Sequence, residues 1–287
     1  PTPAAPPSTR RVALLTGCVQ SVLGAEINAS AERLLARHGI AVEPMPDVQC
    51  CGALELHMGK RDDAVQHMKR TVRLWSNALK TGRIDAIVNT TSGCGSVIKH
   101  YDAMLSDHPE LSSDVRRVID ATVDITEIAA TLPLSTDGAA LGLVVSYHDA
   151  CSLKHGLRLE RPPRRVLNNL GIETLDIAES HLCCGSAGTY NILEPEMSAR
   201  LGQRKAAHAQ ANQPDVIAAG NIGCLVQISR YTAVPVAHTV QLLDWATGGP
   251  CPRGLENFQP RTPAVPDSQA LAPEPAAATA DNGDFLW

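Results

Sequence analysis

Val12-Ala13-Leu14-Leu15-Thr16-Gly17-Cys18 is an apolar run that breaks at a glycine and ends on a cysteine. Leu143-Val144-Val145-Ser146-Tyr147-His148-Asp149-Ala150-Cys151 repeats the same device later in the chain. Short apolar runs bounded by turn residues read as buried strands, so each of these strands carries a cysteine just past its carboxyl end. The repetition extends outward from these two points. Cys151, Cys183 and Cys184 lie 133 residues beyond Cys18, Cys50 and Cys51, and Cys224 lies 130 beyond Cys94. Four cysteines kept in register over that distance mark an internal duplication.

The text between the cysteines repeats as well. Amphipathic segments at 27–38 and 164–170 close on Gly39-Ile40 and Gly171-Ile172, which read as a helix C-cap followed by a strand. The adjacent cysteine pairs come next, followed by helical spacing at 62–79 and 197–210. Further strands at 86–88 and 216–218 lead into Ser92-Gly93-Cys94 and Ile222-Gly223-Cys224. This alternation predicts an α/β fold of two duplicated lobes, each with a mostly parallel sheet flanked by helices. The lobes are expected at 10–135 and 136–247, divided in the loop-like stretch 133–141. A proline-rich linker at 1–9 and a disordered Pro/Ala-rich tail at 248–287 flank them. Ligands of such sheets sit beyond the carboxyl ends of the strands, so the four cysteines of each lobe should converge.

Composition narrows the chemistry. The chain has 287 residues, of which 44% are hydrophobic, enough to build a core in each lobe. Thirty acidic residues against 25 basic ones and an aromatic content of 3% argue against nucleic acid as a partner. No apolar run long enough to span a membrane and no signal-peptide pattern is present, so a soluble cytoplasmic protein is expected, either free or held peripherally at the inner membrane. Nine cysteines in a reducing compartment point to metal binding or thiol chemistry, not to a disulfide framework.

Cys18, Cys50, Cys51, Cys94, Cys151, Cys183, Cys184 and Cys224 are the candidate ligands. Four thiolates can hold one zinc ion, but the usual Cys-x2-4-Cys knuckle is absent. An adjacent Cys-Cys pair suits an iron–sulfur cluster better, because neighbouring thiolates can address different iron atoms. Buried reduced cysteines, zinc, and thiol–disulfide exchange without its usual Cys-x-x-Cys motif stay open as alternatives.

The residues Gly17-Cys18, Cys50-Cys51-Gly52, Ser92-Gly93-Cys94, His148-Asp149-Ala150-Cys151, Ser180-His181-Leu182-Cys183-Cys184-Gly185-Ser186-Ala187-Gly188-Thr189-Tyr190 and Asn221-Ile222-Gly223-Cys224 resemble the tandem cysteine-rich (CCG) domains. These domains are shared by the cysteine-rich component of heterodisulfide reductase and a set of iron–sulfur oxidoreductase subunits. The long second-lobe motif is most similar to that of the glycolate oxidase (glycolate dehydrogenase) iron–sulfur subunits, and the resemblance covers about residues 11–246. It implies a 4Fe-4S cluster on the eight cysteines and electron transfer from a flavin-containing glycolate dehydrogenase subunit towards a quinone or other membrane acceptor. FAD is then expected in the partner subunits only, where glycolate is oxidised to glyoxylate. The same lobes occur in lactate and glycerol-3-phosphate dehydrogenase subunits, and a redox-inert docking scaffold with zinc or empty sites is the alternative from another class.

Two departures from the family pattern matter. The ferredoxin-like Cys-x2-Cys-x2-Cys-x3-Cys-Pro runs of such subunits do not occur, so the sequence is expected to be the C-terminal half of one. The family's noncubane clusters use a final Cys-x-x-Cys, whereas Thr91 and Asn221 occupy its first position here.

Other residues have plainer readings. His148, His181 and His238 are expected at the surface, or hydrogen-bonded, or capping a helix, with a proton-carrying role near the cluster as the sharper alternative. Thr189-Tyr190 reads as a helix start or a ligand donor, and Cys251, between prolines, as a solvated free thiol. Met58, Met68, Trp75 and Leu79 read as core. The basic group Arg161, Arg164 and Arg165 reads as a solvated helix start. Of the two lobes, the second, with its glycine-rich run and two nearby histidines, is expected to keep a redox centre if only one does.

Overall fold

The computed structural model describes residues 10–47 and 50–261. In the first lobe β1 (Arg10–Leu15) leads into α1 (Gln20–Leu23) and α2 (Ala25–Arg37). Then come β2 (Ile40–Glu43), α3 (Ala53–His57), α4 (Arg61–Lys80), β3 (Ala86–Asn89) and α5 (Ser92–Lys99). The lobe closes with α6 (Tyr101–Met104), α7 (Ser112–Ala121), β4 (Thr122–Asp124) and α8 (Ile125–Ala129). The second lobe repeats the plan with β5 (Val144–Tyr147), a π-helical turn (Ser152–Gly156), α9 (Arg161–Asn169), β6 (Glu173–Asp176) and α10 (Tyr190–Leu193). It ends with α11 (Pro195–Ala211), β7 (Val216–Ala219), α12 (Ile222–Ser229), β8 (Val236–His238) and α13 (Thr239–Ala246).

Each sheet is four-stranded and wholly parallel, in the orders β2-β1-β3-β4 and β6-β5-β7-β8. The order reverses at β1/β3 and at β5/β7, and an open parallel sheet of this kind binds ligands in the crevice above that reversal. Cys18 follows β1 and Cys94 follows β3; Cys151 follows β5 and Cys224 follows β7. The two-lobed α/β architecture is therefore as the sequence predicts. Strands β4 and β8 were not expected, because three residues are too few to display a period of two.

Side-chain alternation along β1 sends Val12 and Leu14 to one face and Ala13 and Leu15 to the other. The second pair packs with Met68, Val72 and Trp75 of α4. The first pair joins Ile27, Leu34 and Leu35 of α2 in a core that continues without a break into Val145, Tyr147, Leu242 and Leu243 of the second lobe. Met58, read as core from its spacing, is exposed instead, since it caps the end of short α3.

Polar contacts lock the lobes together. Asp244 on α13 is 0% exposed and accepts from Arg33 Nε at 2.8 Å and Arg37 Nη2 at 2.9 Å, both on α2. His238, also buried, caps α13: its Nδ1 accepts from the Val240 N–H at 3.0 Å, which leaves the proton on Nε2 to donate to the first-lobe carbonyl of Thr90 at 2.7 Å. The capping reading of His238 holds, and its ring also bridges the lobes.

Burial holds the His238 imidazole neutral, with its pKa lowered to about 4 against a smaller opposing pull from the Thr90 carbonyl. Below the ordinary value of 6.5 the unfolded chain takes up a proton that the folded chain refuses. Stability is therefore lost as pH falls from about 6.5 to about 4, in total by roughly 3 kcal/mol. Asp124, which caps α8, is raised by burial from 3.8 to about 6 and works in the opposite sense. Its protonation favours the fold as pH falls through that window. His238→Asn keeps a capping acceptor but does not titrate, so it is expected to lose less stability than the parent between pH 7 and pH 4.5. Parallel thermal melts across that range check this.

The expected tail needs correction at its start. Leu255 is buried, Phe258 meets Trp245 edge-on at 5.8 Å, and the Arg261 N–H donates to the Leu141 carbonyl at 2.8 Å, so the segment up to 261 packs on the second lobe. Its few apolar side chains are enough to hold it despite the prolines. The linker at 1–9 and the remainder at 262–287 lie outside the described residues.

Candidate metal centre

The cysteines come together as two sets of four. In the first lobe Cys18 sits in the turn after β1, Cys50 and Cys51 precede α3, and Cys94 lies in the first turn of α5. Cys18 Sγ and Cys50 Sγ are 3.8 Å apart, and the reduced Cys51 and Cys94 thiols interact by a hydrogen bond. The second lobe repeats the pairing, with thiol hydrogen bonds between Cys151 and Cys183 and between Cys184 and Cys224. The backbone repeats it too: the Gly52 N–H points at Cys50 Sγ and the Gly185 N–H at Cys183 Sγ, both at 3.3 Å. Gly185 has a φ of +90°, and a Cβ there would stand 2.6 Å from the Ser198 carbonyl oxygen, so only glycine allows this turn.

In three of these pairs the shared hydrogen bond favours ionisation of one sulfur and disfavours that of the other. The hydrogen bond from Cys50 lowers Cys18 to about 7, while the same bond, with burial, pushes Cys50 up. Bonds from Cys151 and Cys184 lower Cys183 to about 2, and the bond from Cys184 lowers Cys224 to about 5. Their partners Cys151 and Cys184 are raised, chiefly by the same hydrogen bonds, and Cys51 is raised by its bond to Cys94 and by burial. The thiolate is the form that binds metal. Cysteine sulfurs gathered in fours, with backbone N–H groups aimed at sulfur, are a donor set that fits an iron–sulfur cluster.

The sequence profile described as "CCG: Cysteine-rich domain" matches residues 12–99 and 145–229, one copy per lobe. The chain belongs to the cysteine-rich CCG domain family. It is 32% identical to the Escherichia coli protein named "Glycolate oxidase iron-sulfur subunit" over 83% of this chain and 58% of that protein. It is 31% identical to the "Probable glycolate oxidase iron-sulfur subunit" of Bacillus subtilis over 79% and 51%. The chain thus spans between half and two thirds of those relatives. The "Lactate utilization protein A" of Geobacillus kaustophilus is 25% identical over 82% of this chain and 98% of that protein. A hypothetical protein from Helicobacter pylori shares the fold, with a TM-score of 0.60 and 15% identity over 87% of this chain and 51% of that one.

The two CCG lobes are not equivalent in their surroundings. A cavity of about 320 Å³ lies between them, lined by Cys18, Cys50, Cys51 and Cys94 of the first lobe and by Ser186, Gly188, Asn221 and Gly223 of the second. None of the second-lobe cysteines lines it; Cys184 and Cys224 are packed inside their own lobe. The cavity between the lobes therefore borders the first CCG set, while in the second set Cys151 is exposed elsewhere on the surface.

Thr91 and Asn221, where the family's noncubane pattern has a fifth cysteine, both border the cavity. Asn221 caps α12, its Oδ1 accepting from the Gly223 N–H at 2.9 Å, and its Nδ2 donates to Ser92 Oγ across the lobes at 3.2 Å. Thr91 Oγ1 donates to Gln20 Oε1 at 2.6 Å.

The remaining candidates separate cleanly. His181 is exposed, Thr189 lines the cavity, Tyr190 opens α10, and Cys251 is exposed as expected. Arg164 is not a solvated charge: it bonds to Asp149 Oδ2 and Asp176 Oδ1, each at 2.9 Å, and lies 4.7 Å over the Tyr147 ring. Lys205, which sequence reasoning missed, is buried on α11 with its Nζ donating to the Glu179 carbonyl at 2.7 Å. Its charge interacts with Cys184 and Cys183. A lysine in the middle of a helical pattern gives no signal of this.

Proposed function

We propose that the chain is the electron-transfer portion of an iron–sulfur oxidoreductase subunit of the glycolate dehydrogenase type. In this reading it takes electrons from a flavin-containing subunit that oxidises glycolate to glyoxylate, and passes them towards a quinone or other membrane acceptor. The observation that carries the reading is the pair of four-cysteine sets, one of them opening on a cavity between the lobes. The names of the relatives support the substrate class. Cys18, Cys50, Cys51 and Cys94 would hold a cluster in the first lobe, and Cys151, Cys183, Cys184 and Cys224 one in the second. Bound there, a cluster supplies one-electron acceptance and release.

The chain's own residues do the rest. The Gly52 and Gly185 N–H groups stabilise negative charge on sulfur, and Lys205 adds a buried cation beside the second set. Around the cavity, Leu23 and the 73% exposed Ile192 present apolar surface, continued in sequence by exposed Val22 and Leu193. An apolar rim suits the docking of a protein partner better than the capture of a small carboxylate. Among the described residues no helix is long and apolar enough to cross a membrane.

One observation favours lactate as a second donor: the lactate utilization relatives are matched over nearly their whole length. Dye reduction by the intact complex, with glycolate and with lactate offered separately, decides between them. Iron and acid-labile sulfide are measured on the same anaerobic preparation. Zinc or no metal in place of iron would defeat the electron-transfer reading and leave the docking scaffold.

A further inference from the structure

His148 occupies a place that the duplicated scaffold makes easy to judge. It stands three residues before Cys151, and the residue three before Cys18 is Leu15. Leu15 is buried in the first-lobe core, an ordinary apolar occupant. His148 is equally buried, 2% exposed, yet neither Nδ1 nor Nε2 makes a well-formed hydrogen bond, and the ring interacts with the Cys224 sulfur. Buried polar atoms are almost always paired, and an imidazole left unpaired in the interior destabilises the fold. A ring nitrogen of His148, Cys184 Sγ and Cys224 Sγ all lie within 4.8 Å of one another. One imidazole and two thiols gathered in the buried interior, with the Lys205 charge interacting with one of them, Cys184, form a mixed nitrogen–sulfur donor set.

We propose that His148 is a nitrogen ligand of the second-lobe metal centre, so that the two lobes carry chemically unlike centres: all-thiolate in the first, thiolate–imidazole in the second. The inference rests on the reading that the cysteines bind metal. It adds that the imidazole takes up a coordination role in the lobe whose fifth-cysteine position is Asn221, a residue already engaged in capping α12. Asp149, next in sequence, is tied to Arg164 and so fixes the backbone that presents the ring. His67, which lies near Cys50, is paired with Glu55 at 2.9 Å and so is not left without a partner.

The test uses the complete subunit, prepared anaerobically and loaded either with iron and sulfide or with cobalt(II) alone. Metal per chain is measured first, and nitrogen-14 hyperfine coupling is then read by pulsed electron paramagnetic resonance. The parent is expected to show a coupled nitrogen that persists in His67→Leu and disappears in His148→Leu, which installs the first lobe's residue. Second-lobe metal affinity should fall about tenfold or more in His148→Leu, while the melting temperature of its metal-free form stays equal to the parent's or rises, because an unpaired imidazole has been removed. His148→Cys should keep the metal and lose the nitrogen coupling, and it carries the test if the leucine variant does not fold. Metal binding without nitrogen coupling in the parent, or unchanged coupling and affinity in His148→Leu, would overturn the assignment of His148 alone. Absence of metal from every sample would overturn the metal reading itself.

Discussion

Cys51→Ser is expected to abolish most donor-dependent dye reduction by the intact complex and to remove about half of its iron, if each lobe holds one centre. Cys51 is buried at the edge of the cavity, its thiol in a hydrogen bond with that of Cys94, and its carbonyl accepts from the Tyr101 hydroxyl at 2.8 Å. A serine fits the space but offers a poor ligand, and the lost centre is the one that faces the open cavity. Cys184→Ser should remove a similar share of iron, from a site that does not border the cavity between the lobes. If Cys51→Ser keeps full dye reduction, the cavity is not the entry point for electrons. Iron and sulfide assays beside turnover on the same preparations separate the two effects.

Replacing both Arg33 and Arg37 by Met is expected to cost about 3–5 kcal/mol of folding stability, the largest effect of any change remote from the cysteines. It leaves the fully buried Asp244 carboxylate without either of its cations. Asp244→Asn removes the charge instead, and the two half-exposed guanidinium groups can turn to water, so its cost should be about 1–2 kcal/mol. Chemical denaturation of the metal-free variants measures the difference. A double arginine variant no less stable than Asp244→Asn would mean that Asp244 is accommodated without its arginines.

The constant spacing of the cysteines made the duplicated fold legible, because thiols at the ends of successive strands leave a register that survives divergence of the residues between them. The convergence of each four was legible for the same reason, since parallel strands bring their carboxyl ends to one side. The cavity was not. It forms where Asn221, the 186–189 turn and the start of α10 in one lobe lie against the cysteines of the other, and contacts between residues so far apart in sequence leave no periodic trace. Arg164 and Lys205 were misread or missed because a charge that is buried and paired looks the same in sequence as a solvated one. His148 showed only as a histidine near a cysteine; its burial beside Cys184 and Cys224 without a well-formed hydrogen bond is a property of the packed interior.

The apolar core running from Val12 and Leu34 through to Tyr147 and Leu243 makes the two halves a single cooperative unit. Neither half can open without exposing the face it shares with the other. Anything bound by one cysteine set therefore lowers the equilibrium population of unfolded chain for both, so the free energy of binding at one site stabilises the fold around the other. A cell that fails to load the first centre would then lose the second as well, through a larger unfolded fraction and its proteolysis, although the two sets share no ligand.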